Sequence, residues 1–182
     1  MDHVVLPLDR DHQRAVSALV ERVMAAVAVP WPAGTRAHIT LVAYEGLERE
    51  ATLHAVAPVA DRTMPFAVHA HGYGLFTGPD ASDLSLHVPV VRTEALGALH
   101  DEVEAALVAA GAAVAPWSQP RLWSPHITLL AHDLSPGALA VAVGSLADRH
   151  HPSWEIPLDR LEVTGGWPER AAAGAQRRFA GG

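Results

Sequence analysis

The tetrapeptide His-Ile-Thr-Leu occurs twice in the chain, as His38-Ile39-Thr40-Leu41 and as His126-Ile127-Thr128-Leu129, 88 positions apart. Each copy sits in an apolar run that alternates as a strand does. On a strand, successive side chains point to opposite faces. The histidine therefore shares a face with the threonine two residues on, while the isoleucine and leucine share the other. Two such strands brought together present two imidazoles and two hydroxyls to one space, with an apolar layer behind them. Imidazole has an ordinary pKa of about 6.5, so near neutral pH one ring can take a proton while its partner gives one. A hydroxyl can donate to a developing oxyanion. The chemistry that suits this set is proton transfer around a phosphate.

Strict alternation puts Ile39, Leu41 and Ala43 on one face of the first strand and His38, Thr40, Val42 and Tyr44 on the other. In the second strand Ile127, Leu129 and Ala131 oppose His126, Thr128, Leu130 and His132. The apolar faces belong to a core, and the polar faces must meet solvent or a groove, because unpaired imidazoles are costly to bury. One His-Xaa-Thr alone is an ordinary half-exposed strand; two copies in equivalent frames favour function. Arg36 shares the face of His38, and Arg121 lies in the stretch entering the second motif; either can reach a phosphate, and either can equally be a solvated arginine. Tyr44, Trp123, Trp117 and Phe76 are aromatic faces on which a base could stack, against the plainer reading of core or rim. His69 and His71 share a strand face, but two histidines are too few for a metal site and spacing supplies no third ligand. No metal and no other cofactor is expected. Ser118 and Ser124 sit in no nucleophile-elbow pattern, and Gly72-Tyr73-Gly74 is turn or bulge material rather than a phosphate loop.

The elements that must position these residues follow from periodicity. Residues 3–8 read as a strand, 9–28 as a helix through Val16, Leu19, Val20 and Val23, 30–34 as a loop and 36–44 as the first motif strand. A helix over 48–60, a strand over 65–76, a turn at 77–80 and a half-buried strand over 84–90 follow. The order then recurs: a helix over 93–110, a loop-rich stretch over 114–121, the second motif strand over 123–132, a helix from Ser135-Pro136 to about residue 150, one long strand over 154–163 and a frayed tail. Each half thus reads strand, helix, motif strand, helix, strand. Two α+β lobes related by a pseudo-twofold axis would bring the motif strands to the centre.

The chain has 182 residues, 49% of them hydrophobic, enough to bury a real core as one compact unit. No apolar run approaches the ~18 residues of a membrane span, and the opening Met1-Asp2-His3-Val4 has no signal-peptide character. With no cysteine, disulfides, thiolate metal sites and a cysteine nucleophile are excluded, and a cytoplasmic location is expected. The net charge of −7 and the lack of a basic stripe argue against gripping long duplex nucleic acid. A small nucleotide, a cyclic phosphate or a short RNA end remains open, since one or two arginines suffice for one phosphate. A monomer with no membrane partner is expected.

On these residues the chain resembles the 2H phosphoesterase superfamily, which includes the 2′-5′ RNA ligase-like (LigT-like) proteins and cyclic nucleotide phosphodiesterases. The resemblance rests on His38-Ile39-Thr40-Leu41, on Pro125-His126-Ile127-Thr128-Leu129, and on the order and spacing of the two halves; outside the motifs it is loose. It implies an α+β fold of bilobal, duplicated β-α-β-α-β lobes around a central groove, with residues 1–182 forming a single domain of two interleaved lobes. It also implies hydrolysis of a 2′,3′-cyclic phosphate or a 2′-5′ phosphodiester, with His38 and His126 as the acid/base pair and Thr40 and Thr128 as phosphate ligands. Which histidine is the acid is not legible in a near-symmetric pair. Run backwards, the same site could join a cyclic phosphate end to a 5′-hydroxyl. A nucleotide-binding module without turnover and a metal-dependent hydrolase are the rival readings.

Overall fold

Helix starts are written locally. In the computed structural model, the Asp9 carboxylate accepts the backbone N–H groups of Asp11 (2.8 Å) and His12 (3.0 Å), opening helix α1 (Arg10–Val27). Thr93 accepts from Leu96 N at 3.2 Å ahead of α3 (Glu94–Ala109), and Ser135 accepts from Ala138 N at 3.1 Å ahead of α4 (Pro136–Leu146), whose Pro136 fills the first turn. Helix α2 (Arg49–Arg62) completes the set. The strands are β1 (Asp2–Pro7), β2 (His38–Glu45), β3 (Phe66–His71), β4 (Gly74–Phe76), β5 (Ser85–Pro89), β6 (Ala113–Val114), β7 (His126–Ala131), β8 (Ser153–Leu158), β9 (Arg160–Thr164) and β10 (Ala175–Arg178). The structure describes residues 1–27, 36–77, 84–131, 134–147, 151–165 and 175–181. The predicted loop at 30–34, most of the predicted turn at 77–80, His132, the far end of the fourth predicted helix and Gly182 lie outside them.

The fold is α+β. One eight-stranded sheet runs β10-β9-β1-β2-β7-β5-β4 with β6 beside β2, and β3 pairs β8 in a separate two-stranded sheet. The two motif strands meet at its centre through a single registered pair, Ile39 opposite Ile127. Outward from that pair the halves match. Pro7 pairs His38 as Pro89 pairs His126, Leu6 pairs Ile39 as Val88 pairs Ile127, and Val5 pairs Thr40 as His87 pairs Thr128. Helices are exchanged across this axis: α1 packs on β7 and α4, while α3 packs on β2 and α2.

A bulge also repeats. The β1/β2 register shifts between Val4 and Val5, the β5/β7 register between Leu86 and His87, so the leucine of each motif is the extra residue. Alternation stops there. Leu41, Val42, Ala43 and Tyr44 are all buried, as are Leu129 and Leu130. This corrects the expectation that Val42, Tyr44 and Leu130 line the polar face. Burying the isoleucine and leucine of each motif contributes about 1.5–3 kcal/mol per side chain, which anchors the strands from behind.

Three further expectations change. The strand predicted over 65–76 is two strands, because Gly72 takes a positive φ of 71° and the chain leaves one sheet for the other. The long strand predicted over 154–163 is likewise β8 and β9, divided at Asp159 between the two sheets. The tail is no simple frayed end: β10 pairs β9, and Phe179 behind it is buried.

Candidate active site

The two motif histidines are set by the same local bond. His38 Nδ1 lies 2.8 Å from the Arg36 carbonyl, and His126 Nδ1 lies 2.8 Å from the Ser124 carbonyl. A carbonyl only accepts, so Nδ1 carries the hydrogen in both rings, and the two motifs hold their imidazoles in the same tautomer. Both rings are half-buried, as are Thr40 and Thr128. In an antiparallel pair centred on Ile39 and Ile127, His38 lies toward Thr128 and Thr40 toward His126. Each half-site is thus a histidine from one motif beside the threonine of the other. The strand entry at Ala37 is held by Gln13 of α1, whose amide oxygen accepts Ala37 N–H at 2.9 Å.

Arg36, two residues before His38, is tied to the neighbouring strands. Its guanidinium meets Glu162 of β9 at 3.2 Å, and Gln176 of β10 donates to the same carboxylate at 2.7 Å. Glu162 is buried, yet Arg36 keeps 39% of its side-chain surface, so the pair positions a cation with an open side. Arg121 is exposed in the turn before Trp123, and among the described residues no hydrogen bond or ion pair engages its side chain.

Two expected stacking residues are corrected. Tyr44 is fully buried in the core behind the bulge, where desolvation raises its phenol pKa; it has no surface to offer a base. Trp123 is buried too, and its indole N–H donates to the Thr40 carbonyl at 2.9 Å. The ring stacks on His100 with centroids 4.1 Å apart, under the Arg92 guanidinium at 5.4 Å. The segment entering the second motif therefore braces the first. Ser118 adds to this, its hydroxyl accepting Ala43 N–H at 2.9 Å, while Ala115 N–H donates to the Ala43 carbonyl at 2.9 Å. These bonds occupy the edge of β2 beyond Ile39, so β2 and β7 part after one pair. Trp123→Phe exchanges the indole for a smaller phenyl and deletes the donor that the Thr40 carbonyl accepts. Calorimetry should then show a stability loss of about 1–3 kcal/mol. Trp117, by contrast, is exposed, 6.5 Å from the His3 ring.

Phe76 does reach the site, although its partner is a protein ring. It stacks on His87 at 4.1 Å and meets His126 edge-on at 4.9 Å, with the two imidazoles 5.0 Å apart. His87 was not singled out by the sequence, where Ser85, His87 and Pro89 read as the wet face of a half-buried strand. It is only 4% exposed, and its Nδ1 is buried without a hydrogen-bond partner. Burial and, secondarily, the charge of His126 push its pKa down to about 4, so it is neutral at neutral pH. Aligning the two halves would have flagged it, since Val5 occupies the matching register position.

His69 and His71 lie exposed on β3, in the other sheet, with His69 opposite Glu155. Among the described residues no group of three or more potential ligands is arranged to hold a metal ion. No helix among them is long and apolar enough to cross a membrane.

Two matching halves meeting at paired motif strands in one α+β sheet define the LigT-like, 2H phosphoesterase class of fold. Residues 8–165 match the family model of the 2′-5′ RNA ligase superfamily, and the chain belongs to that family. Solved structures agree on the fold. TT0787 of Thermus thermophilus aligns over 97% of this chain and 93% of its own at a TM-score of 0.66 and 18% identity. LigT of E. coli, complexed with 3′-AMP, aligns over 97% and 91% at 0.53 and 14%. Usb1 of Kluyveromyces marxianus aligns over 98% and 97% at 0.53 and 12%. No curated protein matches the sequence significantly. Phosphoester chemistry is what this family membership supports.

Proposed function

We propose that the chain is a metal-independent phosphodiesterase that opens a 2′,3′-cyclic phosphate, or cleaves a 2′-5′ phosphodiester, of a nucleotide or RNA end. The observation that carries this reading is the paired Nδ1–carbonyl bond, which holds the imidazoles of His38 and His126 in the same tautomer. One Nε2 takes a proton from water as its oxygen bonds to phosphorus. The bond from phosphorus to one ribose oxygen breaks, and the other imidazole, protonated at the outset, gives that oxygen its proton. The two rings end with their protonation states exchanged, and solvent restores them. Thr40 and Thr128 donate to the non-bridging oxygens, where negative charge grows in the transition state. Arg36, with its open side, offsets charge on the phosphate or its neighbour, and Arg121 guards the rim. LigT accepts 3′-AMP in its crystal, which supports a small nucleotide or a nucleotide end as the ligand here. Attack by a 5′-hydroxyl in place of water, with the same ribose oxygen leaving and the same two proton transfers, is the ligation reading that the family's description suggests.

The test is turnover of the four nucleoside 2′,3′-cyclic phosphates and a 2′-5′-linked dinucleotide, with chelator present and products separated by chromatography. Product formation with a bell-shaped pH profile is expected. Tight nucleotide binding with no product would replace the enzyme by a binding module. Activity abolished by chelator and restored by a divalent metal would replace it by a metal hydrolase.

A further inference from the structure

The halves match in register but not in side chains at one place. Beside Thr40 of the first motif stands Val5, and beside Thr128 of the second stands His87. One strand further out, Val5 faces Glu162 and His87 faces Gly74. The glycine is needed for the histidine. A Cβ at residue 74 would sit 2.4 Å from His87 Nε2 and 3.0 Å from both neighbouring ring carbons, well inside contact distance. The imidazole thus lies in the space that a side chain at position 74 would fill. Phe76 stacks on the same ring, and that phenyl meets His126 edge-on. A buried nitrogen without a partner is a cost that a valine here would avoid, as Val5 does in the other half.

We propose that His87 is a positioning residue for His126: a ring, seated over Gly74 and against Phe76, that holds the His126 imidazole in the plane where Nδ1 bonds the Ser124 carbonyl. This rests on the reading of His126 as half of the acid/base pair. The seat must be filled by something that does not carry charge, because two imidazolium rings 5.0 Å apart would repel whenever His126 takes a proton. It must also be filled by something rigid. With a smaller side chain, the space over Gly74 opens and both Phe76 and His126 can lean into it.

Three variants test this. His87→Val copies the residue that the first half carries at the same register, so the strand can accept it. Gly74→Ala leaves His87 in place but drives its ring off the seat. The double variant combines them, and there the added methyl has no imidazole to strike. Each single variant is expected to lower kcat about tenfold or more with KM within about threefold, since small misplacements of a reacting group are costly to rate. The double variant is expected to be no worse than His87→Val alone. Nitrogen NMR of the imidazoles supplies a readout that needs no substrate. The His126 signals should report a fixed Nδ1–H tautomer in the parent protein and a tautomer mixture in both single variants. Unchanged His126 signals would overturn the proposal whatever happens to rate, as would additive losses in the double variant. If the parent protein turns over no phosphodiester, the functional reading fails by itself, and the NMR comparison still decides the role of His87.

Discussion

His38→Ala and His126→Ala are each expected to lower kcat on a cyclic phosphate by about 10²–10⁴-fold, the usual worth of general acid or base catalysis. The double variant is expected to be scarcely slower than the worse of the two. Each turnover needs one proton taken from water and one delivered to the leaving oxygen, so the two rings act as a unit and their losses do not add. Each single variant should also lose one limb of the bell-shaped pH profile, and which limb goes with which residue assigns the acid and the base. Neither change should unfold the protein. Both rings are half-buried at strand starts, and the anchoring is done by Ile39, Leu41, Ile127 and Leu129 behind them. A thermal scan separates the outcomes: full activity in either variant removes that histidine from the mechanism, and collapse of the fold would show that its role is structural.

The second large effect concerns acid. His87 has a folded pKa of about 4 against an ordinary 6.5, lowered first by burial and then by the charge of His126. The unfolded chain therefore binds a proton there between pH 6.5 and 4 that the folded chain refuses. Stability consequently rises with pH across that window: it is complete above 6.5 and is lost as the pH falls toward 4. A shift of this size corresponds to as much as ~3 kcal/mol, at 1.36 kcal/mol per pKa unit, a large part of a typical domain's margin. His87→Val removes the group and should flatten the curve. Denaturant unfolding at pH 7.5, 5.5 and 4.5 makes the comparison; a variant as acid-sensitive as its parent would place the instability elsewhere.

The motif strands, their rough bounds and the serine-proline start of α4 were all legible in the residues, because period-two alternation and capping chemistry are local. What escaped was set by pairing. Tyr44 belonged to the wet face by counting, but the bulge at Leu41 is a relation between β1 and β2, and neither strand alone declares it. His87 looked exposed for the same reason, its burial being made by Gly74 and Phe76 from the next strand. Trp123 read as a surface for a ligand because nothing nearby in the chain announces the Thr40 carbonyl, 83 residues away. The breaks inside the two predicted long strands came from a change of sheet, with a glycine at one and an aspartate at the other as the only hints. Strand β10 carries Gln176, Arg177 and Arg178, all polar, and owes its place to β9.

Helix α1 lies on the strand of the second motif and α3 on that of the first. A polypeptide of half this length could cover its motif strand only with the helix of another copy, so its groove would form between two identical chains. In such a dimer every substitution appears twice, and a histidine beside one motif threonine forces a histidine beside the other. Carrying both halves on one continuous chain lifts that constraint. Val5 and His87 can differ, and a site with two equivalent ends becomes one that distinguishes its left hand from its right.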